Sequence, residues 1–95
     1  MPRPRKHRRC GCSFRNRAWK PAGTPMSELE VIPLALEELE ALRLCDMQGM
    51  TQEEAGISME VSRGTVQRIL SRARHKCAQA LVMGCALVFS ESERQ

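Results

Sequence analysis

Three side chains that can read the edges of DNA base pairs stand close together in the stretch VSRGTVQRIL. Arg63, Gln67 and Arg68 follow Ser62, a residue type that commonly caps the start of a helix. An arginine can pair with O6 and N7 of guanine, and a glutamine can pair with the edge of adenine. Gly64 adds no side chain and would let the backbone approach closely. The stretch therefore predicts recognition in the major groove by Ser62, Arg63, Gly64, Gln67 and Arg68.

Further basic residues extend this predicted surface in both directions along the chain. Arg72, Arg74, His75 and Lys76 follow on the same helix, where they suit contacts with phosphates. The first nine residues, MPRPRKHRR, combine two prolines with dense positive charge, which is typical of an extended arm. Such an arm can follow phosphates or enter a minor groove. Its predicted DNA-binding residues are Arg3, Arg5, Lys6, Arg8 and Arg9.

The distribution of charge is more informative than the net charge of +4 for the 95 residues. Residues 1–20 hold eight basic residues and no acidic one, whereas residues 21–60 hold nine acidic residues and one arginine. Residues 61–95 are basic again, and no acidic residue occurs between positions 61 and 90. A helix packed only for stability usually carries mixed charge on its outer face, so this layout favours binding to a polyanion.

Two helices joined by a tight turn are needed to present these side chains. Thr51 and Glu54 form a capping box that predicts a helix over residues 52–59, with Ala55, Gly56 and Met59 facing inward. Ser62 caps a second helix over residues 63–83, which ends at Gly84. Val61 is expected to fill the turn. The apolar stripe predicted to face the core of the second helix is Val66, Ile69, Leu70, Ala73, Cys77, Ala80 and Leu81.

A third helix and two short strands complete the predicted domain. Helical spacing over residues 36–48 places Leu36, Leu39, Leu42 or Arg43, and Met47 inward, with Gly49 just past the end. Glu37, Glu38 and Glu40 stand near the start, where the helix dipole favours acidic side chains. EVIPL (30–34) predicts an edge strand because of Pro33, and CALVF (85–89) is expected to pair with it. Residues 10–25 are predicted to be irregular loop.

The predicted fold class is mainly α, a trihelical helix-turn-helix domain with a basic N-terminal arm and a small two-stranded sheet. The predicted divisions are the arm and loop at 1–25, the domain at 26–90 and a disordered tail at 91–95.

The order of motifs is also similar to that of a known family. VSRGTVQRILSRAR resembles the fourth region of bacterial sigma factors, and KPAG, LEELEALRL, TQEEA and ALVMGCAL resemble a small prokaryotic family of uncharacterised, predicted DNA-binding proteins. The resemblance implies a helix-turn-helix and a role connected with transcription. Such proteins usually have alanine at the position of Gly56 and glycine at the position of Glu60. Both departures indicate a softer first helix of the pair.

The N-terminal cysteines raise the question of a metal site. His7, Cys10 and Cys12 are soft ligands within six residues, and zinc or an iron–sulfur cluster could use them. A fourth ligand would have to come from elsewhere in the chain, such as His75, Cys77 or Cys85. A single C-x-C with a nearby histidine is a weak signal, so unligated thiols are the preferred interpretation. Cys45 and Cys77 fall on helices, where packing in the core explains them.

Several classes of protein are disfavoured by the sequence. No apolar run approaches the roughly 20 residues of a membrane span, and the basic N-terminus lacks the apolar segment of a secretory signal. Five cysteines without framework spacing favour a reduced, cytoplasmic setting. No catalytic constellation or phosphate-binding loop is evident, so no enzymatic activity and no small-molecule substrate are expected.

The sequence thus predicts a sequence-specific DNA-binding protein that regulates transcription and reads the major groove with the helix starting at Arg63. One such unit reads only a few base pairs, so a homodimer on double-stranded DNA is expected, with the ALVF segment as its candidate surface. Two alternatives stay open. One is a protein-interaction module that contacts the transcription machinery through the acidic segment 28–54, and the other is RNA binding through the Arg-rich arm.

Overall fold

The computed structural model describes residues 17–90, which form three helical elements and a small sheet. The predicted mainly helical class is confirmed, while the sheet has three strands and not two. The strands are β1 (Ala18–Trp19), β2 (Val31–Ala35) and β3 (Ala86–Ser90), and a 3-10 turn covers Met26–Glu28. The helices are α1 (Leu36–Ala41), which continues as a π-helical segment (Leu42–Met47), then α2 (Gln52–Met59) and α3 (Arg63–Met83).

The sheet joins segments from both ends of the described chain. Its strand order is β1-β3-β2, so β3 is central, parallel to β2 and antiparallel to β1. The predicted pairing of the two longer strands is confirmed, and Ile32 lies opposite Leu87. β1 was not predicted, because it falls in the segment 10–25 that was expected to be irregular loop. Two residues are too few to show a periodic pattern.

The edge position predicted for Pro33 is confirmed, and side chains close part of that edge. The Lys76 ammonium donates a hydrogen bond to the Pro33 carbonyl at 2.7 Å. The Ala35 N–H donates to Glu38 Oε1 at 2.9 Å. A strand whose outer backbone groups are already bonded, and which contains proline, is a poor template for pairing with another chain.

The buried stripe of α3 holds the molecule together. Its N-terminal half packs against Ala41, Leu44 and Ala55 from the other helices, and its C-terminal half packs under the sheet beside Ile32 and Leu34. The predicted stripe is confirmed at Val66, Ile69, Leu70, Ala73 and Ala80, which are buried, and at Cys77, which is half-buried.

Leu81 was wrongly placed in that stripe, since 68% of it is exposed. α1 covers the corresponding side of α3 at Leu70, where Ala41 and Leu42 pack. Near Ala80 the sheet is the covering element, and Leu81 lies to one side of it.

Although α3 has 21 residues, none of the helices within residues 17–90 is both long and apolar enough to cross a membrane.

The phase predicted for the helix over residues 36–48 needs correction. Its fully buried positions are Glu38, Ala41 and Leu44, whereas Met47 is 72% exposed and Leu36 is only half-buried. The prediction that Glu38 stands near the helix start is confirmed, since it lies in the first turn of α1 and accepts the Ala35 N–H. The Glu38 carboxylate bonds to the Ala35 N–H, Arg72 and Lys76, and α1 is oriented so that this side chain is buried.

The C-terminal half of this helix has π-helical geometry. The Gln48 N–H bonds to the carbonyl of Arg43, five residues earlier, at 2.9 Å. The wider turn distinguishes this segment from the continuous α-helix that was predicted. Gly49 follows with φ of 78°, which confirms the predicted glycine at the helix end.

Candidate nucleic-acid interface

The two predicted caps that define the helix pair are confirmed. The Thr51 hydroxyl accepts the Glu54 N–H at 3.0 Å, and the Thr51 N–H donates to Glu54 Oε1 at 2.9 Å. The Ser62 hydroxyl accepts the Thr65 N–H at 3.1 Å and starts α3. These bonds satisfy backbone donors that a helix start leaves unpaired. The arrangement of α2, a short turn and α3 is compatible with a helix-turn-helix.

Backbone atoms close the turn between α2 and α3. Gly56 is buried, and a Cβ built on it would lie 2.7 Å from the Val61 carbonyl oxygen. The Val61 N–H donates to the Gly56 carbonyl at 2.9 Å. The Val61 side chain itself is 37% exposed, so the prediction that it fills the turn was wrong. Glycine at position 56 is therefore what lets the turn approach α2.

Glu60, where similar proteins usually have glycine, has a strained backbone. Its φ of 65° and ψ of 40° lie in the left-handed region. A side chain with a Cβ is disfavoured there relative to glycine.

The first two turns of α3 bring the predicted base-reading residues together. Ser62, Arg63, Gln67 and Arg68 are all exposed, and Gly64 is half-buried beside them. The Arg68 guanidinium donates from Nη2 to the Thr65 hydroxyl at 3.2 Å. Within residues 17–90, neither Arg63 nor Arg68 takes part in any ion pair. Their positive charge is therefore available to a ligand.

The middle of α3 is different, because acidic side chains of α1 and its π-helical continuation face its cations. Arg72, a predicted DNA contact, lies 3.2 Å from Glu38 and 3.6 Å from Glu37. Arg74 makes two hydrogen bonds to Asp46, the shorter at 2.6 Å. Lys76 reaches Glu38 at 2.8 Å.

These ion pairs reduce the positive charge that the middle of α3 offers to phosphates. Arg72 and Arg74 remain about half exposed, at 51% and 55% of their side chains, so their predicted contacts with DNA stay predictions.

Glu38 is at the centre of the polar contacts between α1 and α3, and its side chain is fully buried. Burial alone would raise the pKa of its carboxyl group. Hydrogen bonds from Lys76 and from the Ala35 N–H, the nearby Lys76 charge and a further bond from Arg72 outweigh burial, and the pKa of Glu38 falls below 4.5. Glu38 is therefore ionised at neutral pH and holds the side chains of Lys76 and Arg72 against α1.

Cys45, Cys77 and Cys85 are free thiols. The predicted packing of Cys45 and Cys77 against the core is confirmed. Burial, followed by the neighbouring Asp46, raises the pKa of Cys45 against the opposing effect of Arg74, and burial with Glu38 and Asp46 raises that of Cys77. Both thiols are thus less reactive than an exposed cysteine.

Residues 17–90 contain no cluster of three or more histidine, cysteine, aspartate or glutamate side chains that could hold a metal ion. The candidate ligands His7, Cys10 and Cys12 lie outside the described residues. So do the predicted arm contacts at Arg3, Arg5, Lys6, Arg8 and Arg9, and the predicted tail at 91–95.

The ALVF segment is not the exposed apolar edge that was proposed as a dimer surface. It forms most of the central strand β3, where Ala86 is fully buried and Leu87 is 7% exposed. The described chain instead exposes apolar side chains at the end of α3, namely Leu81, Val82 and Met83.

Sequence reasoning also missed Thr65. It stands three residues after Ser62 and three before Arg68, a spacing that places all three on one helical face. This spacing could have identified Thr65 as a partner of Ser62 and Arg68.

Comparison with known proteins places the chain in a family. The model of the family described as "protein of unknown function DUF134" matches residues 1–95, the whole chain. The chain belongs to this family. A "UPF0251 protein" of Aeromonas salmonicida is 45% identical over 93 residues, which cover 98% of this chain and 91% of that protein.

Two longer relatives, also called "UPF0251 protein", come from Halothermothrix orenii and Pelotomaculum thermopropionicum. They are 49% and 52% identical over 89 and 91 residues, which cover 94% and 92% of this chain. The chain spans 66% of the length of each of these relatives. No solved structure matches the chain.

Proposed function

We propose that this protein binds double-stranded DNA in a sequence-specific manner and regulates transcription, with α2 and α3 acting as a helix-turn-helix. The observation that carries the proposal is the charge of α3 that remains after its ion pairs are considered. Arg63 and Arg68 carry the positive charge that no acidic side chain of residues 17–90 matches, and both lie exposed in the first two turns. Base-reading residues occupy this end of the second helix in such domains.

The neighbouring residues support contact with base edges as well as with phosphates. Gln67 is exposed between the two arginines and offers both a donor and an acceptor. Gly64 leaves bare backbone on the same face. A Cβ built there has nothing nearer than Arg68 Nη1 at 3.9 Å, so packing within the protein does not require glycine. Close approach of DNA does account for it.

Selection of bound sequences from a pool of random duplex DNA tests the proposal. The full chain should enrich one short sequence, and the enriched duplex should compete at least tenfold better than its scrambled version, in line with specific protein–DNA interactions. Binding with equal affinity to both duplexes would contradict sequence-specific recognition.

Two parts of the proposal extend beyond α3. A homodimer is proposed because one unit contacts too few base pairs to select a site. Sedimentation of the protein with and without the enriched duplex measures how many protein chains bind one duplex.

The basic arm is proposed to add affinity without selectivity. Deleting residues 2–9 should weaken binding to all duplexes and lower the slope of log K against log salt by about 0.9 for each lost phosphate contact.

The acidic segment 28–54 supports a second candidate function, contact with a protein of the transcription machinery. Four of its acids, Glu37, Glu38, Glu40 and Asp46, form ion pairs within the molecule, which reduces the charge available to a partner. Glu28, Glu30 and Glu53 remain exposed. Pull-down after digestion of DNA separates this candidate from DNA binding. RNA binding through the arm is separated by competition between duplex DNA and single-stranded RNA.

A further inference from the structure

We infer that Arg68 reads a guanine in the bound DNA and that Thr65 is the positioning residue that orients its guanidinium. The inference rests on the proposed function, because it assigns one base to one side chain of the same surface. Its basis is a chain of hydrogen bonds that starts at the helix cap and ends at the guanidinium.

The hydroxyl of Ser62 connects the cap to Thr65. It accepts the Thr65 N–H at 3.1 Å and lies 3.0 Å from the Thr65 hydroxyl. The same Thr65 oxygen accepts from Arg68 Nη2 at 3.2 Å. The bonds that begin α3 therefore also fix the oxygen that holds Arg68. An exposed arginine otherwise loses much side-chain freedom when it binds, and holding it beforehand lowers that cost.

The Arg68 guanidinium lies beside Gly64. The atoms nearest to a Cβ built at position 64 are Arg68 Nη1 at 3.9 Å and Ser62 Oγ at 4.0 Å. The guanidinium thus lies back over the bare backbone at the start of the helix. This is the end that enters the major groove in helix-turn-helix complexes.

The hydrogen-bonding pattern of the guanidinium selects the base. Thr65 occupies one donor of Nη2, and the other N–H groups can point away from the protein. Guanine presents two acceptors, O6 and N7, to such a fork, whereas adenine presents one acceptor and one donor. A phosphate also presents acceptors, so the experiment must separate a base from the backbone.

The test uses the duplex enriched from random DNA, with each guanine replaced in turn by 7-deazaguanine, which lacks the N7 acceptor. One replacement should weaken binding of the wild-type chain about tenfold, within the range for a base contact. The same replacement should have no effect on Arg68→Ala. An enriched site that tolerates 7-deazaguanine at every guanine would overturn the assignment. So would an Arg68→Ala variant that stays as sensitive to the replacement as the wild type.

The positioning role of Thr65 has a matched pair of variants. Thr65→Val keeps the shape but removes the acceptor, while Thr65→Ser keeps the hydroxyl. Thr65→Val should lose about threefold of the discrimination between guanine and 7-deazaguanine, the effect of one exposed hydrogen bond, and Thr65→Ser should retain it. Unchanged discrimination in Thr65→Val would refute the positioning role. Thermal melting of both variants checks that α3 stays folded.

Arg68→Lys keeps the assignment testable by a second route, since it retains the charge without the planar fork. It should lose the discrimination while keeping the salt dependence of the wild type. A lysine variant that discriminates as well as the wild type would contradict bidentate reading. If the wild-type chain enriches no sequence at all, the proposed function itself fails, and that result is distinct from the outcomes above.

Discussion

The first two turns of α3 and the two turns that follow are similarly basic in sequence, yet they differ in the charge they present. Arg63 and Arg68 face no carboxylate of residues 17–90, whereas Arg72, Arg74 and Lys76 each lie within 3.2 Å of one. The middle cations thus help to attach α3 to α1 and its π-helical continuation. A run of basic residues on a helix can therefore contain two different surfaces, one available to a polyanion and one used for folding.

The largest expected effect comes from breaking the charge match in the middle of α3. Glu38→Gln should lower the free energy of unfolding by about 2–4 kcal/mol, because it removes the buried partner of Lys76 and Arg72. Chemical denaturation measures the loss. Glu37→Gln is the matched control, since Glu37 is partly exposed and its distance to Arg72 is 3.6 Å. It should cost less than about 1 kcal/mol.

The difference in stability between the wild type and Glu38→Gln has a pH dependence of defined sign. The pKa of Glu38 is lower in the folded state than its usual value of 4.5. Its contribution to stability is therefore complete above about pH 4.5 and is lost as the pH falls through the folded-state pKa. The wild type should lose stability in acid more steeply than Glu38→Gln. Parallel curves for the two proteins below pH 4.5 would contradict this role.

A smaller effect is expected at Gly64, where folding and binding should respond in opposite directions. Gly64→Ala fits without a close contact and should raise the free energy of unfolding by up to about 1 kcal/mol through helix propensity. If α3 enters the major groove as proposed, the Cβ would face the bases, and binding to the enriched duplex should weaken by about 1 kcal/mol. Thermal melting and DNA titration measure the two. Improved stability with unchanged binding would show that the bases do not approach this position.

Features of the fold that depend on neighbouring residues could be predicted from the sequence, whereas contacts between distant residues could not. Local rules predicted the caps at Thr51 and Ser62, the ends at Gly49 and Gly84 and most of the buried stripe, because each depends on neighbouring residues. The ion pairs of Glu38 join residues 34 and 38 positions apart. No local pattern reports such contacts.

Two errors have the same origin in distant contacts. The predicted phase of the first helix followed its apolar residues, including Met47, and so left out Glu38, which distant cations help to bury. The buried ALVF segment was taken as an edge because β1 is only two residues long and gave no sign that it would cover β3. The residues proposed to read bases lie on one helix close to its cap. Local rules could therefore place them together, apart from Thr65.

A further small effect is expected at the turn between α2 and α3. Glu60→Gly should raise the free energy of unfolding by up to about 1 kcal/mol, since the backbone at position 60 has a φ of 65°. Differential scanning calorimetry measures it, with Glu53→Gly on the exposed face of α2 as a control that should destabilise. A destabilising Glu60→Gly would mean that the Glu60 side chain contributes more than its strained backbone costs.

The most direct test of the account compares Arg63→Ala with Arg74→Ala on the enriched and scrambled duplexes. Both changes remove one exposed arginine from the same helix, but Arg74 is bonded to Asp46. Arg63→Ala should cost about 1–3 kcal/mol on the enriched duplex and relax the preference at one base position. Arg74→Ala should weaken binding to both duplexes equally, by no more than about 0.5 kcal/mol, and leave the base preference unchanged, because its charge is paired and could contact only phosphates. Equal losses on both duplexes for Arg63→Ala, with the base preference intact, would contradict direct reading by the first two turns of α3.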